Sequence, residues 1–291
     1  MTQATGSATP YETSLNHAAS ITELTQSNPA PPPPWQRLPP YQRVRLAGRA
    51  ALMATGLAWT ERQGLIARAM PELLLLRHVV PNGLLALDVG ANIGVVASEI
   101  ARHASHTLAF EPNPMPFYVL RHLRVKGLVP VWAAVGSKDG ETELLVPCGR
   151  KGPSNNGGHL RDSRNHPDVL TYKVPLISID GLRLQELGFL KIDVEGHETE
   201  VLDGANETIR RCLPTIMVEH EVAHIGASFG DVFDRLSSLN YEGFFLDRGM
   251  IRHLSAFDAA RHQGPGTRKS DGTYVSNFFF LPRNRKITGP V

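Results

Sequence analysis

The sequence has few of the features that mark secreted, membrane-spanning or nucleic-acid-binding proteins. It has only 2 cysteines among 291 residues, too few for a disulfide framework, which favours a reducing compartment. It has no run of about 18 uncharged apolar residues, and its N-terminus lacks the basic and apolar segments of a secretory signal. The net charge of +2 predicts no basic face for nucleic acid. We therefore expect a cytoplasmic protein that binds neither membranes nor nucleic acids.

Composition divides the chain into four segments. Residues 1–40 are rich in Ser, Thr, Pro and Ala and end in a proline run, which predicts a disordered tail with a polyproline II segment. Residues 41–80 mix Arg with apolar residues without strand alternation, which predicts a helical extension. Residues 81–285 form the predicted main domain, and residues 286–291 a short tail.

The main domain alternates short apolar runs with amphipathic patterns. The runs LLALDV, HTLAF, VPVWAAV, GFLKIDV and PTIMVEH predict strands, and the segments between most of them have helical spacing. The segment ETEVLDGANETIRR predicts one helix with Val201, Leu202, Ala205 and Ile209 facing inward. The segments DGETELLVP and TYKVPLISID predict extended structure on either side of a long polar loop, and GFFLDRGMIRHL and YVSNFFFLP predict further β structure near the end. This alternation predicts an α/β fold with a doubly wound, mostly parallel sheet. Such folds bind ligands beyond the carboxyl ends of their strands.

The segment LALDVGANIGVV places a carboxylate, Asp88, just before a turn of small and polar residues. A dinucleotide site needs G-x-G-x-x-G after the first strand. Here Gly90 is followed by Asn92 at the second glycine position, Gly94 is out of register, and no glycine stands at the third position. Asp88 would also repel a pyrophosphate. S-adenosylmethionine has a sulfonium and an ammonium, both positive, so a carboxylate suits it on charge grounds.

Glu111 lies at the end of the second predicted strand, 21 residues after Gly90. An acidic residue at this place accepts hydrogen bonds from ribose hydroxyls, as it also does with NAD. Glu111 therefore favours an adenosine-containing cofactor without deciding between these two. Alone, Asp88 is equally compatible with a helix-capping carboxylate and Glu111 with a solvated strand end.

Three segments in order resemble one family of enzymes. LDVGANIGVVASEIAR, AFEPNPMPFYVLRHL and LKIDVEGHETEVLDGA together resemble the FkbM-type methyltransferases, which have the class I S-adenosylmethionine-dependent fold. The resemblance covers about residues 73–282. It implies a Rossmann-like sheet of seven strands with a C-terminal β hairpin. It also implies O-methylation of a hydroxyl on a sugar, macrolide or similar metabolite, and hence a small-molecule or glycan acceptor.

The resemblance also implies roles for individual residues. The methionine end of the cofactor would be held by the first turn, the ribose by the second strand and the adenine by the third strand. The residues for the methionine end are Asp88, Gly90, Asn92 and Gly94. The residue for the ribose is Glu111, and those for the adenine are Ala134 and Val135.

The segment KIDVEGHE places carboxylates at the end of the fourth predicted strand of the sheet. Removing the proton of a hydroxyl acceptor requires a general base or a metal. Asp193 is our first candidate for this polar role, as a base or as a contact to cofactor and substrate. Glu195 and Glu219 are candidates for the base or for ligands to a hard cation such as magnesium.

Other polar residues near this segment have ordinary explanations as well. Glu195 and Glu198 also fit the start of the next helix, where the helix dipole stabilises carboxylates. His197 and His159 are candidate bases, although a lone histidine is more often structural or exposed. His220 begins an H-E-x-x-H pattern, but a zinc site of this kind requires a helix, and the pattern here follows directly on a predicted strand.

Several alternatives stay open at this point. A nicotinamide-dependent oxidoreductase, a catalytically inert protein with the methyltransferase fold, and an N-methyltransferase each fit part of the pattern, and the chain is compatible with a homo-oligomer. The helical extension and the long polar loop at 148–168 lie outside the alternating pattern. We expect these two segments to shape the acceptor side.

Overall fold

The computed structural model describes residues 44, 47, 48, 50, 51, 70–149, 152, 153, 169–222, 229–267 and 273–285. The predicted tails, most of the helical extension, most of the long polar loop and His159 lie outside the described residues. None of the helices in the described parts of the chain is long and apolar enough to cross a membrane.

The described chain alternates strands with short helices from residue 73 onward. The helices are α1 (Leu73–Val79), α2 (Val95–Ile100), α3 (Pro114–Leu120), α4 (Glu198–Asp203), α5 (Asn206–Cys212), α6 (Asp231–Ser238) and α7 (Ala259–His262). The strands are β1 (Ala86–Val89), β2 (Thr107–Phe110), β3 (Leu128–Val131), β4 (Ala134–Val135), β5 (Gly140–Gly149), β6 (Gly152–Pro153), β7 (Val169–Ile177), β8 (Phe189–Ile192), β9 (Thr215–Glu219), β10 (Tyr241–Asp247), β11 (Met250–His253) and β12 (Asn277–Pro282).

The main sheet has eight strands in the order β11-β10-β12-β9-β8-β1-β2-β3. The five strands from β9 to β3 are parallel, and β12, β10 and β11 are antiparallel to their neighbours. The predicted mostly parallel sheet is confirmed, with one strand more than the seven that the resemblance implied. The extra edge strand β11 forms because Arg248 and Gly249 both have positive φ, at 51° and 79°, as a two-residue hairpin of type I′ requires.

Helices cover both faces of this sheet. On one face, α1 and α2 bury Leu76 and Ile100 against the strands, in a cluster that includes Met217. On the other face, α4, α5 and α6 pack onto the largest core cluster through Val201, Leu202, Ile209 and Leu236. The doubly wound arrangement leaves the carboxyl edge of β1, β8 and β9 as the place where polar side chains from several strands can meet.

A second, smaller sheet has the order β4-β7-β5-β6. Its main ladder is antiparallel between β5 and β7, the two extended segments that were predicted to flank the polar loop. Strand β4 pairs in parallel with the end of β7, which connects this sheet to the end of β3.

The segment ETEVLDGANETIRR, predicted as one helix, forms two helices. The first helix ends at Gly204, where only glycine fits because a Cβ would lie 2.0 Å from the backbone oxygen of Gly136. Asp180 supplies hydrogen-bond acceptors for the first turn of α5. Its carboxylate accepts hydrogen bonds from the backbone amides of Glu207 at 3.0 Å and Thr208 at 2.8 Å. The predicted inward positions are nevertheless confirmed as buried: Val201, Leu202, Ala205 and Ile209.

Candidate functional site

The turn between β1 and α2 has an unusual backbone. Gly90, Asn92 and Gly94 all have positive φ, at 80°, 51° and 85°. The amide of Gly90 donates to the carbonyl of Phe110 at 3.0 Å, which ties the turn to the end of β2. A Cβ at Gly90 would lie 1.8 Å from the backbone oxygen of Asp193, so only glycine fits at this position.

Glu111 fixes the same turn from the end of β2. Its carboxylate accepts two hydrogen bonds of 2.8 Å, from the backbone amides of Asn92 and Asn113. Burial raises the pKa of Glu111 to about 7, although these two hydrogen bonds oppose the shift. Glu111 therefore has a structural role that the sequence did not show, and its ribose contact stays a prediction.

Ala134 and Val135, predicted to line an adenine pocket, form the short strand β4. Both side chains are buried, at 2% and 3% exposure, and they belong to different core clusters. Nearby, the indole of Trp132 donates to the carbonyl of Pro112 at 2.8 Å and joins the end of β3 to the loop after β2. Since both side chains are in the core, we expect a ligand at this strand end to contact their backbone.

Asp88 lies beside a buried lysine on the neighbouring strand. Asp88 and Lys191 are register partners on β1 and β8, with side chains 0% and 3% exposed. Lys191 Nζ lies 3.3 Å from Asp88 Oδ1 and donates a hydrogen bond to Asp193 Oδ2 at 3.0 Å. One buried cation thus joins the carboxylate before the glycine turn to the carboxylate after β8.

A third carboxylate, Glu219, joins this group from the end of β9. Its negative charge and a side-chain hydrogen bond act on Asp193, and its charge also acts on Lys191. On the far side, Ser276 Oγ donates to Glu219 Oε1 at 3.0 Å. We call Asp88, Lys191, Asp193 and Glu219 the carboxylate cluster.

The carboxylate cluster has more negative than positive charge. Burial raises the pKa of Asp88, with the charge of Lys191 opposing the shift. Burial also raises the pKa of Asp193 to about 8, where Lys191 opposes the shift and Glu219 adds to it. Burial lowers the pKa of Lys191, but the carboxylates around it outweigh burial and raise its pKa above the ordinary value. One firmly protonated lysine therefore faces three carboxyl groups, and burial is the main reason why the pKa values of Asp88 and Asp193 are raised.

The other polar residues after β8 have a different environment. Glu198 begins α4, is buried, and accepts a hydrogen bond from the amide of Gly196 at 2.9 Å. Its second oxygen lies 3.6 Å from Nδ1 of His220. Burial raises the pKa of Glu198, but these hydrogen bonds outweigh it and leave the pKa below its usual value. Glu198 thus joins α4 to the loop after β9.

Glu195 and His197 lie in the loop between β8 and α4. Glu195 has a φ of 53°, in the left-handed region that most residues avoid. His197 is buried, with Nδ1 3.7 Å from an oxygen of Glu200. A catalytic role for Glu195 stays a prediction.

The H-E-x-x-H pattern begins on a residue with a packing role. His220 follows β9 directly, and its ring stacks on Phe229 and lies 2.9 Å from the Phe229 carbonyl oxygen. His224 lies outside the described residues. Within the described parts of the chain, no three His, Cys, Asp or Glu side chains are grouped to hold a metal ion, which gives the predicted magnesium no support.

Lys191 and Asn277 are the site residues that the sequence analysis missed. Lys191 had a usable signal, because it is a charged residue inside an apolar strand, two positions before Asp193 and therefore on the same face. Asn277 had none, because its proximity to Glu219 depends on β12 pairing with β9.

The sheet order, the glycine turn after β1 and the helices on both faces define a class I, Rossmann-like methyltransferase fold. The model of the methyltransferase FkbM domain matches residues 88–242, more than half of the 291-residue chain. The chain therefore belongs to the FkbM methyltransferase family, as the sequence resemblance predicted.

Several solved methyltransferase structures are similar to the chain at low sequence identity. The FkbM methyltransferase from Methylobacillus flagellatus KT has 13% identity and a TM-score of 0.43 over 68% of this chain and 44% of that one. A TehB-like methyltransferase from Corynebacterium glutamicum has 13% identity and a TM-score of 0.38 over 78% and 96% of the two chains. A putative methyltransferase from Streptococcus mutans, in complex with SAH, has 10% identity and a TM-score of 0.37 over 72% and 94%.

The chain thus spans less than half the length of the Methylobacillus protein. The comparison with curated proteins finds no match.

Proposed function

We propose that the protein is an S-adenosylmethionine-dependent methyltransferase that methylates a hydroxyl group of a small-molecule or glycan acceptor. Membership of the FkbM family supports methyl transfer. The observation that supports this cofactor is the carboxylate cluster beside the glycine turn, where one lysine faces three carboxyl groups. A ligand with two positive charges would compensate the excess negative charge, whereas a pyrophosphate would add to it.

The residues present fit this cofactor. Asp88 would attract its positive charges, and Gly90, Asn92 and Gly94 hold the positive-φ turn whose backbone would face it. Glu111, already fixed by two backbone amides, would meet the ribose with its remaining lone pairs. When bound, S-adenosylmethionine supplies a methyl group on a positively charged sulfur, which an oxygen nucleophile can displace.

Glu219 and Asp193 are suited to take the proton of the acceptor hydroxyl. Glu219 lines an open cleft at the end of β9, so its carboxylate can reach an incoming hydroxyl. Asp193 shares a side-chain hydrogen bond with Glu219, and its pKa of about 8 lets the pair hold a proton near neutral pH. We assign proton removal to Glu219, and to Asp193 the stabilisation of the proton that Glu219 receives.

Titration calorimetry with S-adenosylmethionine, S-adenosylhomocysteine and NADH tests the proposal. We expect saturable binding of the first two by the wild type and none of NADH. Asp88→Asn removes a buried negative charge and should weaken binding by about tenfold or more, the size of one lost charged hydrogen bond. Glu143→Gln, the same type of change at an exposed position of β5, is the matched control and should bind as the wild type does.

Two outcomes would contradict the proposal. Binding of NADH in place of S-adenosylmethionine would identify a nicotinamide-dependent oxidoreductase on the same fold. Binding of none of the three compounds would favour a protein that has kept the fold without the activity.

A further inference from the structure

An open cleft lies beside Glu219, on the side away from the glycine turn. It has a volume of about 590 Å³, including the part that is open to solvent. One wall is the chain before α1, and the other is the β10–β11 turn with the start of β12. The lining residues are Met70, Pro71, Glu72, Glu219, Leu246, Arg248, Gly249, Tyr274, Ser276 and Asn277.

Asn277 lines this cleft and has an unsatisfied polar atom. The residue is 5% exposed, and its carboxamide oxygen is buried. Within the described parts of the chain, no hydrogen-bond donor lies within reach of that oxygen. A buried acceptor without a donor costs free energy, about 1–3 kcal/mol in typical proteins. Such an atom in a cleft indicates a ligand that supplies the donor.

Glu219 and Asn277 form a matched pair. They are direct register partners on the antiparallel strands β9 and β12, so their side chains project from the same face of the sheet. Directly opposite residues have Cβ atoms about 4.5–5.5 Å apart. Two oxygen acceptors, one anionic and one neutral, therefore stand side by side in the cleft.

We propose that Glu219 and Asn277 together bind a vicinal diol of the acceptor, one hydroxyl to each side chain, and that Asn277 determines which hydroxyl is presented for methylation. This inference rests on the proposed function. Adjacent hydroxyls supply two donors at the spacing that two neighbouring acceptors require. Two carboxylates, Glu72 and Glu219, outnumber the one cation in the lining, Arg248, which disfavours an anionic group. The apolar surfaces of Met70 and Leu246 suit the carbon skeleton of a ring.

Saturation-transfer NMR on the protein saturated with S-adenosylhomocysteine tests this assignment. The probes are the methyl glycosides of glucose, galactose, mannose and rhamnose, which all contain vicinal diols, and 1,4-cyclohexanediol, whose hydroxyls are not adjacent. We expect at least one glycoside to receive saturation and the cyclohexanediol to receive none.

Two variants at one position separate the hydrogen bond from the shape of the side chain. Asn277→Leu replaces the carboxamide oxygen and nitrogen by methyl groups on the same branched skeleton, and it should weaken glycoside binding about tenfold or more. Asn277→Asp keeps an oxygen there and should retain binding. Met70→Trp fills the cleft from the opposite wall without altering β12, and it should abolish glycoside binding even if Asn277→Leu fails to fold.

S-adenosylhomocysteine affinity is measured in parallel and should be the same in all variants, since none touches the glycine turn. A wild type that does not bind S-adenosylhomocysteine overturns the proposed function, and this inference with it. If S-adenosylhomocysteine binds normally but no glycoside receives saturation, the diol assignment is overturned and the proposed function is not. The same conclusion follows if the cyclohexanediol binds as well as the glycosides, or if Asn277→Leu or Met70→Trp binds them as the wild type does.

Discussion

The two halves of the candidate site are built in different ways. The half around the glycine turn is defined by backbone geometry, with three residues at positive φ and Gly90 against the carbonyl of Asp193. The half around the cleft is defined by side chains from different strands, such as Glu219 on β9 and Asn277 on β12. The backbone of the glycine turn tolerates few residue types. The side chains that line the cleft can be substituted without changing the sheet that carries them.

This difference suggests a division of labour within the family fold. A turn that only glycine can form suits a ligand that stays the same, such as a cofactor. Side chains on antiparallel strands can vary singly, which suits an acceptor that differs from one family member to another. Lys191 lies between the halves, because it contacts Asp88 on one side and Asp193 on the other.

The largest effect is expected from Lys191→Met, which acts on both halves at once. The change leaves Asp88 buried without its cation, and breaking a buried ion pair in this way costs about 3–5 kcal/mol. Urea unfolding measures the loss of stability. The double variant Asp88→Asn/Lys191→Met also removes the buried charge of Asp88 and should recover the part of the loss that the unpaired Asp88 causes, while Asp193, which is 27% exposed, stays without its cation. Equal instability of the single and double variants would show that packing of the lysine stem, not charge, accounts for the loss.

Gly90→Ala should disturb the cofactor half alone. A methyl group there overlaps the backbone oxygen of Asp193 and is strained by a φ of 80°. We expect a loss of about 2–5 kcal/mol from the two causes together. Gly249→Ala is the matched control, because Gly249 has a φ of 79° with nothing near its Cβ position, and it should cost about 1–2 kcal/mol. Thermal unfolding of both variants measures the difference, and equal losses would contradict the close contact at Gly90.

The smallest effect is a pH dependence that Asp193 gives to stability. Its pKa is raised from 3.8 to about 8 in the folded protein. A group with a raised folded pKa stabilises the protein fully below its unfolded pKa, and this stability is lost as pH rises through the folded value. The full shift would correspond to about 4 kcal/mol between pH 5 and pH 8, but the Asp193 side chain is 27% exposed and solvent screens part of the effect. Relative to the wild type, Asp193→Asn should therefore gain about 1–2 kcal/mol over this interval. Urea unfolding at several pH values measures this gain, and a constant difference between the two proteins would show that Asp193 does not titrate in this range.

The fold could be predicted from the sequence wherever the residues of a strand or helix determine its structure without contacts to distant segments. Apolar runs predicted β1, β2, β8 and β9 because strands buried on both faces have little polar surface. The single helix predicted across Gly204 was wrong because the chain at Gly204 packs against the backbone of Gly136, which follows β4 and is distant in sequence. The helical period continues through the break, so the local pattern gives no sign of it.

In the candidate site, too, the features that one local segment determines could be predicted, and those that depend on distant segments could not. Asp88 and the glycine turn could be predicted from one short segment, because chemistry and backbone constraint coincide there. The second contact of Glu111, to the amide of Asn92, could not be predicted, since it depends on the turn's exact shape. The pairing of Glu219 with Asn277 could not be predicted either, because strand register across the sheet is absent from local sequence.

The place of β12 in the sheet has a consequence for how the protein is made. β12 is the last strand in the described chain, yet it lies between β9 and β10, which precede it in synthesis. During synthesis, β9 and the β10–β11 hairpin therefore emerge from the ribosome before β12. Until β12 emerges, the edges of β9 and β10 that will pair with it have no hydrogen-bond partner strand. During that interval these edges are vulnerable to pairing with other nascent chains. Chaperone dependence should therefore be greatest just before residue 277 emerges.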